Sequence, residues 1–333
     1  MQVLRKLFFP ISLIYGLIIF LRNRLYDIGI FSSKSFLTKT ICVGNLSVGG
    51  TGKTPMIELL VRELSENYDV AILSRGYKRK SDGFLLSNEQ TSVEDLGDEP
   101  FQLKSKFPKV TVAVDADRRN GIIKLGEEII PDIILLDDAF QHRKVKPGFS
   151  ILLTAYDNLY VNDWYLPTGN LRDSKREASR ADLIIVTKCP ANISSSDKES
   201  IRARINPKLN QKVLFSFLRY NTNLKGSEVS LDTLKGKRVT LVTGIANPAP
   251  LQQFLQSKGL ICEHLKFRDH HFFTAQEIAM LKEKERILTT EKDYVRLKSK
   301  IPKLHYIEVK HEFLDDDKGV LIKELRQFMT TIS

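Results

Sequence analysis

The segment Val43-Gly44-Asn45-Leu46-Ser47-Val48-Gly49-Gly50-Thr51-Gly52-Lys53-Thr54-Pro55 constrains the fold of this chain more than any other, because it joins an apolar β-like stretch to an amphipathic run. Strand, glycine loop and helix in that order make a phosphate cradle. Gly49, Gly50 and Gly52 let the backbone approach phosphate oxygens with bare N–H groups, and Thr51 and Pro55 belong to the same cradle. The helix that follows turns its positive end toward the same anion. Lys53 supplies charge for the outer phosphates and Thr54 offers a hydroxyl to Mg²⁺. The first glycine of G-x-x-x-x-G-K-[ST] would fall at position 47, where Ser47 stands. A nucleoside triphosphate is the expected ligand; the alternative is a glycine-rich turn that binds nothing.

A second signal lies at Pro131 to Asp138, an apolar run of the buried parallel-strand type that ends in two carboxylates, where open α/β sheets place their ligands. Asp137 or Asp138 is expected to hold Mg²⁺ directly or through water. Strand-like runs recur at 39–43, 70–73, 110–114, 133–136, 150–153 and 183–186, with helical patterns at 55–66 and 117–128. The alternation predicts an α/β fold, a doubly wound and mostly parallel sheet of P-loop type. A polar stretch at 221–237 reads as a linker. Beyond it, strand patterns at 238–242, 286–289 and 305–309 and an amphipathic helix at 320–329 predict a smaller α/β domain. The expected organisation is therefore an N-terminal segment 1–25, a kinase-type domain 26–220, a linker 221–237 and a domain 238–333.

With 333 residues, 42% of them hydrophobic and 27% charged, the chain is long enough for two globular domains. A net charge of +11 calls for an acidic partner: nucleic acid, an anionic membrane or a phosphorylated substrate. Cys42, Cys189 and Cys262 are widely spaced and suggest neither disulfides nor zinc. Leu7 to Leu21 carries no charge and is bracketed by Arg5-Lys6 and by Arg22 and Arg24. As a straight helix it would span about 22 Å, short of the roughly 30 Å hydrocarbon core. A membrane-inserted or interfacial anchor is the expectation, with a buried helix or a signal peptide as alternatives.

These residues resemble the tetraacyldisaccharide 4'-kinases (lipid A 4'-kinases) over nearly the whole chain. The resemblance rests on the basic-flanked N-terminal helix, the loop at 44–55, Leu73 to Tyr77, Gly97 to Pro100 and Leu135 to His142. Later segments that carry it are Leu166 to Arg172, Thr243 to Pro248, Asp269 to His271 and Thr290 to Asp293. Ser47 at the missing-glycine position is usual in that family. Asp173 departs from it, since a glutamate commonly follows that arginine. The resemblance implies transfer of the γ-phosphoryl group of ATP, with Mg²⁺, to the 4'-hydroxyl of a tetraacylated glucosamine disaccharide 1-phosphate in lipid A biosynthesis. It further implies action on an anionic membrane surface, at the cytoplasmic face of the bacterial inner membrane, without nucleic acid or an obligate protein partner.

The resemblance places Asp98 at the reacting hydroxyl as general base, with His270 orienting it or sharing its proton, and Lys53 and Asp138 completing the catalytic set. The alternative on sequence alone is that Asp98 caps a helix beginning at Pro100. Arg75 and Arg172 are expected to contact phosphate, since a guanidinium matches it bidentately. His142 is a further candidate for substrate phosphate or for the surroundings of the metal. Thr290-Glu291-Lys292-Asp293 reads first as a strand end that caps a helix, and Trp164 and Tyr165 read as buried, with an acyl- or sugar-lining surface as the alternative. The competing class is a membrane-associated P-loop ATPase or GTPase that acts as a switch or targeting module. It would need no Asp98 and Asp269-His270 set.

Overall fold

Short runs of leucine, isoleucine and valine, buried on both faces, become the strands of a parallel sheet covered by helices. The computed structural model describes residues 5–226 and 229–331, so residues 1–4 of the N-terminal segment and 227–228 of the expected linker lie outside it. In chain order the first strands are β1 (Lys39–Asn45), β2 (Val70–Ser74), β3 (Leu85–Leu86), β4 (Thr111–Val114) and β5 (Ile133–Asp137). They are followed by β6 (Phe149–Ala155), β7 (Leu183–Thr187) and β8 (Lys212–Tyr220). After a two-stranded hairpin of β9 (Asn223–Leu224) and β10 (Val229–Ser230) come β11 (Val239–Thr243), β12 (Cys262–Lys266), β13 (Ile287–Thr290) and β14 (Leu304–Ile307). The last strand is β15 (Val309–Phe313). The large sheet runs β15-β8-β7-β6-β1-β5-β2-β4-β3 and is parallel except at its two edge strands; the small one runs β12-β11-β13-β14 and is parallel throughout.

Period-two alternation splits the large core into two layers. Cys42, Leu73 and Leu136 face one layer, and Ile41, Ile72 and Leu135 face the other. The helix Lys53–Leu64 covers the second layer, burying Met56, Ile57, Leu60, Val61 and Leu64 along one stripe. Around the small sheet, separate clusters form on Leu241, Leu255 and Leu288 and on Val242, Leu281 and Ile287.

Three expectations are corrected here. The final strand and the helix Asp317–Thr330 do not stay with the small sheet, as a domain of 238–333 required. β15 pairs antiparallel with β8, and Leu321, Leu325 and Met329 pack into the large core. The small sheet is thus inserted between β8 and β15. The chain crosses out at Tyr220 and back at Val309, residues that are paired neighbours, with Asn221 N–H donating to the Glu308 carbonyl (3.0 Å). At the same seam Lys106 is ion-paired with Glu58 (2.6 Å), Glu291 (2.7 Å) and Glu308 (3.0 Å). The expected linker is the β9–β10 hairpin followed by a helical turn at Leu231–Leu234.

The second correction concerns the N-terminus. No helix among the described residues is long and apolar enough to cross a membrane. The helix Phe9–Asp27 carries Arg22, Arg24 and Asp27 in its last turns, which shortens its apolar stretch. Its buried positions are Ser12, Gly16, Ile19 and Asn23, one narrow and mostly small or polar stripe at helical spacing. That stripe lies on the loop 164–173. Ser12 Oγ–H donates to Thr168 Oγ1 (2.8 Å), Tyr15 O–H to the Arg172 carbonyl (3.0 Å), and Gly16 lies against the Tyr165 ring. Leu13, Ile14, Leu17, Ile18 and Leu21 are exposed on the remaining faces. Trp164 is exposed as well, edge-on to Phe9, rather than buried as expected.

Candidate active site

The phosphate loop begins where β1 ends. Asn45 Nδ2 donates to the Ser47 carbonyl (2.7 Å), and Ser47, buried at the position where the general motif has glycine, donates its hydroxyl to Asp163 (3.3 Å). Gly49 and Gly52 adopt left-handed backbone (φ 111° and 86°), which L side chains rarely reach, and space is open above Gly49. Gly52 caps the helix that starts at Lys53, so the first N–H groups of that helix are free for an anion. Thr51 Oγ1 is buried without a partner. A triphosphate suits such a cradle: open backbone donors, a buried hydroxyl left unsatisfied, and an ammonium beside them. Lys53 Nζ is 3.4 Å from Asn45 Oδ1 and 3.7 Å from Asp138.

The acidic pair Asp137 and Asp138 stands at the end of β5, as the apolar run ending in two carboxylates predicted. Asp137 is buried and accepts a hydrogen bond from Ser74 Oγ (3.0 Å). Burial and the adjacent Asp138 charge, opposed by Lys53, push its carboxyl up to about 6. Asp138, at φ 49°, is ion-paired with Lys53 and bidentately with Arg172, which also donates to Asn45. Burial would raise Asp138, but Lys53 and Arg172 hold it below the usual carboxylate range. Arg172 therefore neutralises Asp138 in this structure. Arg75 is exposed just after Ser74. His142 stands 3.5 Å from Asp117, and burial followed by the charge of Arg118 lowers its pKa. Buried Arg118 ties that corner to the site by donating to the Asp137 carbonyl (3.2 Å).

The structure also brings Asp98 and His270 together, although 172 residues separate them. Asp98 opens the helix Asp98–Lys106 after Gly97 (φ 86°) and is 1% exposed. One carboxylate oxygen lies 2.6 Å from His270 Nδ1 and the other accepts from Arg296 Nε. Burial would raise the Asp98 pKa, yet His270 and Arg296 outweigh it and keep it low. Lys292 Nζ approaches His270 Nε2 at 3.0 Å, Asp269 at 3.1 Å and Glu99 at 3.2 Å. An ammonium can only donate, so Nε2 accepts and the ring hydrogen sits on Nδ1, toward Asp98. A cavity of about 190 Å³ is lined by Thr54, Pro55, Glu58, Glu99 and Lys292 among others, joining the phosphate loop to the neighbours of Asp98 and His270.

Sequence reasoning did not single out Asn45, Ser74, Arg118 or Arg296. Arg296 follows the Thr290 to Asp293 motif by one helical turn, the sole hint available. That motif caps its helix as expected, Thr290 Oγ1 accepting from Asp293 N–H (3.2 Å). Asp173 is fully buried and accepts from Asn23 Nδ2 (2.7 Å) and Arg22 (3.0 Å), so here the shorter carboxylate pins the N-terminal helix.

A family model described as tetraacyldisaccharide-1-P 4'-kinase (LpxK) matches residues 4–329. Among relatives named tetraacyldisaccharide 4'-kinase, that of Flavobacterium johnsoniae is 48% identical over 96% of this chain and 96% of its own length. That of Bacteroides thetaiotaomicron is 45% identical over 88% and 83%. The crystal structure of LpxK from Aquifex aeolicus in complex with ATP superposes with a TM-score of 0.80 at 32% identity, covering 98% of this chain and 99% of that one.

Proposed function

The chain belongs to the tetraacyldisaccharide-1-P 4'-kinase family, and from that premise we propose how its residues divide the work. The reaction is ATP-dependent phosphorylation of the 4'-hydroxyl of a tetraacylated disaccharide 1-phosphate in lipid A synthesis. Gly49 to Thr54 cradle the phosphates through backbone N–H groups, Pro55 continuing the helix behind them without a donor of its own, with Lys53 neutralising the transferred phosphoryl group. Mg²⁺ bound with the nucleotide spreads and neutralises phosphate charge, and Thr54, Asp137 and Asp138 are the residues that would hold it. The described residues contain no cluster of three or more His, Cys, Asp or Glu able to hold a metal. That fits an ion shared with phosphates and water rather than caged by protein. Arg172 keeps Asp138 ionised and aligned; Arg75 and His142 face the acceptor's own phosphate.

Asp98 and His270 act as one proton-accepting unit for the sugar hydroxyl, with Arg296 fixing the carboxylate from behind. Because Lys292 occupies His270 Nε2, that nitrogen becomes available when Lys292 turns to the incoming phosphate charge. The observation that carries the assignment is the shared cavity between Thr54 and the Glu99–Lys292 pair next to the Asp98–His270 contact. Purified protein incubated with radiolabelled ATP and the lipid disaccharide is expected to yield 4'-phosphorylated product, strongly reduced in Asp98→Asn. Unchanged turnover in that variant sinks the assignment.

The exposed apolar faces of Phe9–Asp27 support a further part of the reading, that this helix lies in the surface of an anionic membrane, at the cytoplasmic face of the bacterial inner membrane. Its polar stripe holds the enzyme and its leucines and isoleucines enter the lipid. Leu17→Glu combined with Ile18→Glu should abolish flotation with phosphatidylglycerol vesicles; undiminished flotation removes the interfacial role.

A further inference from the structure

The residue at which the phosphate loop becomes a helix is held by the far end of the chain. The Gly52 carbonyl accepts from Met56 N–H (3.1 Å), as a helix requires, and also lies 2.9 Å from His311 Nε2, contributed by β15 from 259 residues away. The His311 ring is buried, and its Nδ1 is 3.0 Å from the hydroxyl of fully buried Ser216 on β8. A carbonyl oxygen can only accept, so Nε2 carries the hydrogen and Nδ1 accepts from Ser216, which fixes the neutral tautomer. Burial agrees, pushing the His311 pKa down to about 4. The fit is close: a Cβ on Gly52 would lie 2.9 Å from Nε2. A companion bond holds the preceding turn, Thr187 Oγ1–H donating to the Thr51 carbonyl (2.8 Å).

Peptide planarity gives these contacts a function. The Gly52 carbonyl and the Lys53 N–H belong to one trans peptide unit and point in opposite directions, so fixing the oxygen also aims the N–H. That N–H is one of the free donors at the helix start, directed into the cradle. A left-handed glycine is the loop residue freest to let this unit rotate. We propose that His311, oriented by Ser216, is a positioning residue of the phosphate loop that holds the Gly52–Lys53 peptide in its phosphate-binding orientation. The inference rests on the reading of this loop as the nucleotide site.

The test compares wild type, His311→Leu, His311→Gln and Ser216→Ala. Leucine keeps apolar bulk without the donor; glutamine presents an amide N–H at the reach of Nε2. His311→Leu is expected to raise the Kd for Mg·ATP in calorimetric titration and the KM for ATP about tenfold, the worth of one buried hydrogen bond. The KM for the lipid acceptor and the thermal midpoint should change little. His311→Gln should recover most of the ATP affinity, and Ser216→Ala should lose a smaller part of it. A folded His311→Leu enzyme with wild-type ATP affinity overturns the proposal, as does an equal loss in the glutamine variant. If the leucine variant does not fold, wild-type ATP affinity in Ser216→Ala overturns it instead. Failure of the wild-type protein itself to bind ATP overturns the nucleotide-site reading, an outcome distinct from losses confined to the variants.

Discussion

The phosphate loop and the Asp98 seam are both dense in polar groups, yet they are satisfied in opposite ways. In the loop, helix N–H groups and the Thr51 hydroxyl are left without protein partners, and Gly49 leaves open space above them. At the seam every strong group is taken: Asp98 by His270 and Arg296, His270 by Lys292, Lys106 by three carboxylates. One region is ready for a ligand; the other must exchange partners before a hydroxyl can reach it. The difference teaches that the loop offers free donors as it stands, whereas, on the proposed assignment, Asp98 and His270 would reach an acceptor only if contacts between the two sheets loosened.

If the loop is prepared for phosphate charge, Lys53→Ala should reduce phosphoryl transfer on the order of 10³-fold or more while leaving the thermal midpoint near wild type. Product formation at saturating ATP checks this, and near-normal turnover would erase the contrast by showing that the cradle does not act. Asp98→Asn should lower kcat on the order of 10²-fold with ATP affinity retained. His270→Ala should also lower it, and the double variant should lose much less than the product of the two. Single-turnover rates for the four proteins decide; fully multiplicative losses would separate the pair.

The seam's closure can be probed through stability. Arg296→Met leaves the carboxylate of Asp98 with one cation fewer in a buried setting and should cost about 3 kcal/mol in denaturant unfolding. A loss under about 1 kcal/mol would mean that His270 alone satisfies Asp98.

The smallest expected effect is pH-dependent. Burial and the charge of Glu58 raise Glu291 from 4.5 to about 7 despite Lys106. A raised folded value stabilises fully below 4.5, and that stabilisation is lost as pH rises through about 7. Burial would lift Glu308 too, but Lys106 holds it at about 2, so its contribution is present above 4.5 and fades toward 2. Glu291→Gln should therefore raise the thermal midpoint by about 3 °C at pH 8 and change little at pH 5. The same shift at both pH values would place the cause outside this carboxylate.

What could be read from residues alone was what lies close together along the chain. The loop at 44–55 and the acidic strand ending at Asp138 are each encoded within about a dozen consecutive residues, so local pattern sufficed. The pairing of Asp98 with His270 came from family resemblance; no spacing rule predicts a contact across 172 residues. The run 305–309 looked like one strand, but it straddles Glu308, where the chain passes from one sheet to the other, and sheet membership is a tertiary choice. Hydropathy detected the N-terminal apolar run but not the Ser12–Gly16–Asn23 stripe, because averaging hides which face meets protein. Arg296 and His311 had no readable motif of their own, since each matters only through a partner brought near by folding.

The insertion of the small sheet between β8 and β15 also sets an order of assembly. Chains emerge from the ribosome N-terminus first, and their domains fold as units. The loop and its helix are made early, but the strand carrying His311 is synthesised only after the whole inserted sheet. A nascent or C-terminally clipped chain can therefore form the glycine loop without the contact that steadies it. On that proposal the loop gains its far-strand support only after the inserted sheet has been made, so a chain cut before β15 would keep the glycines and lose the hydrogen bond to the Gly52 carbonyl.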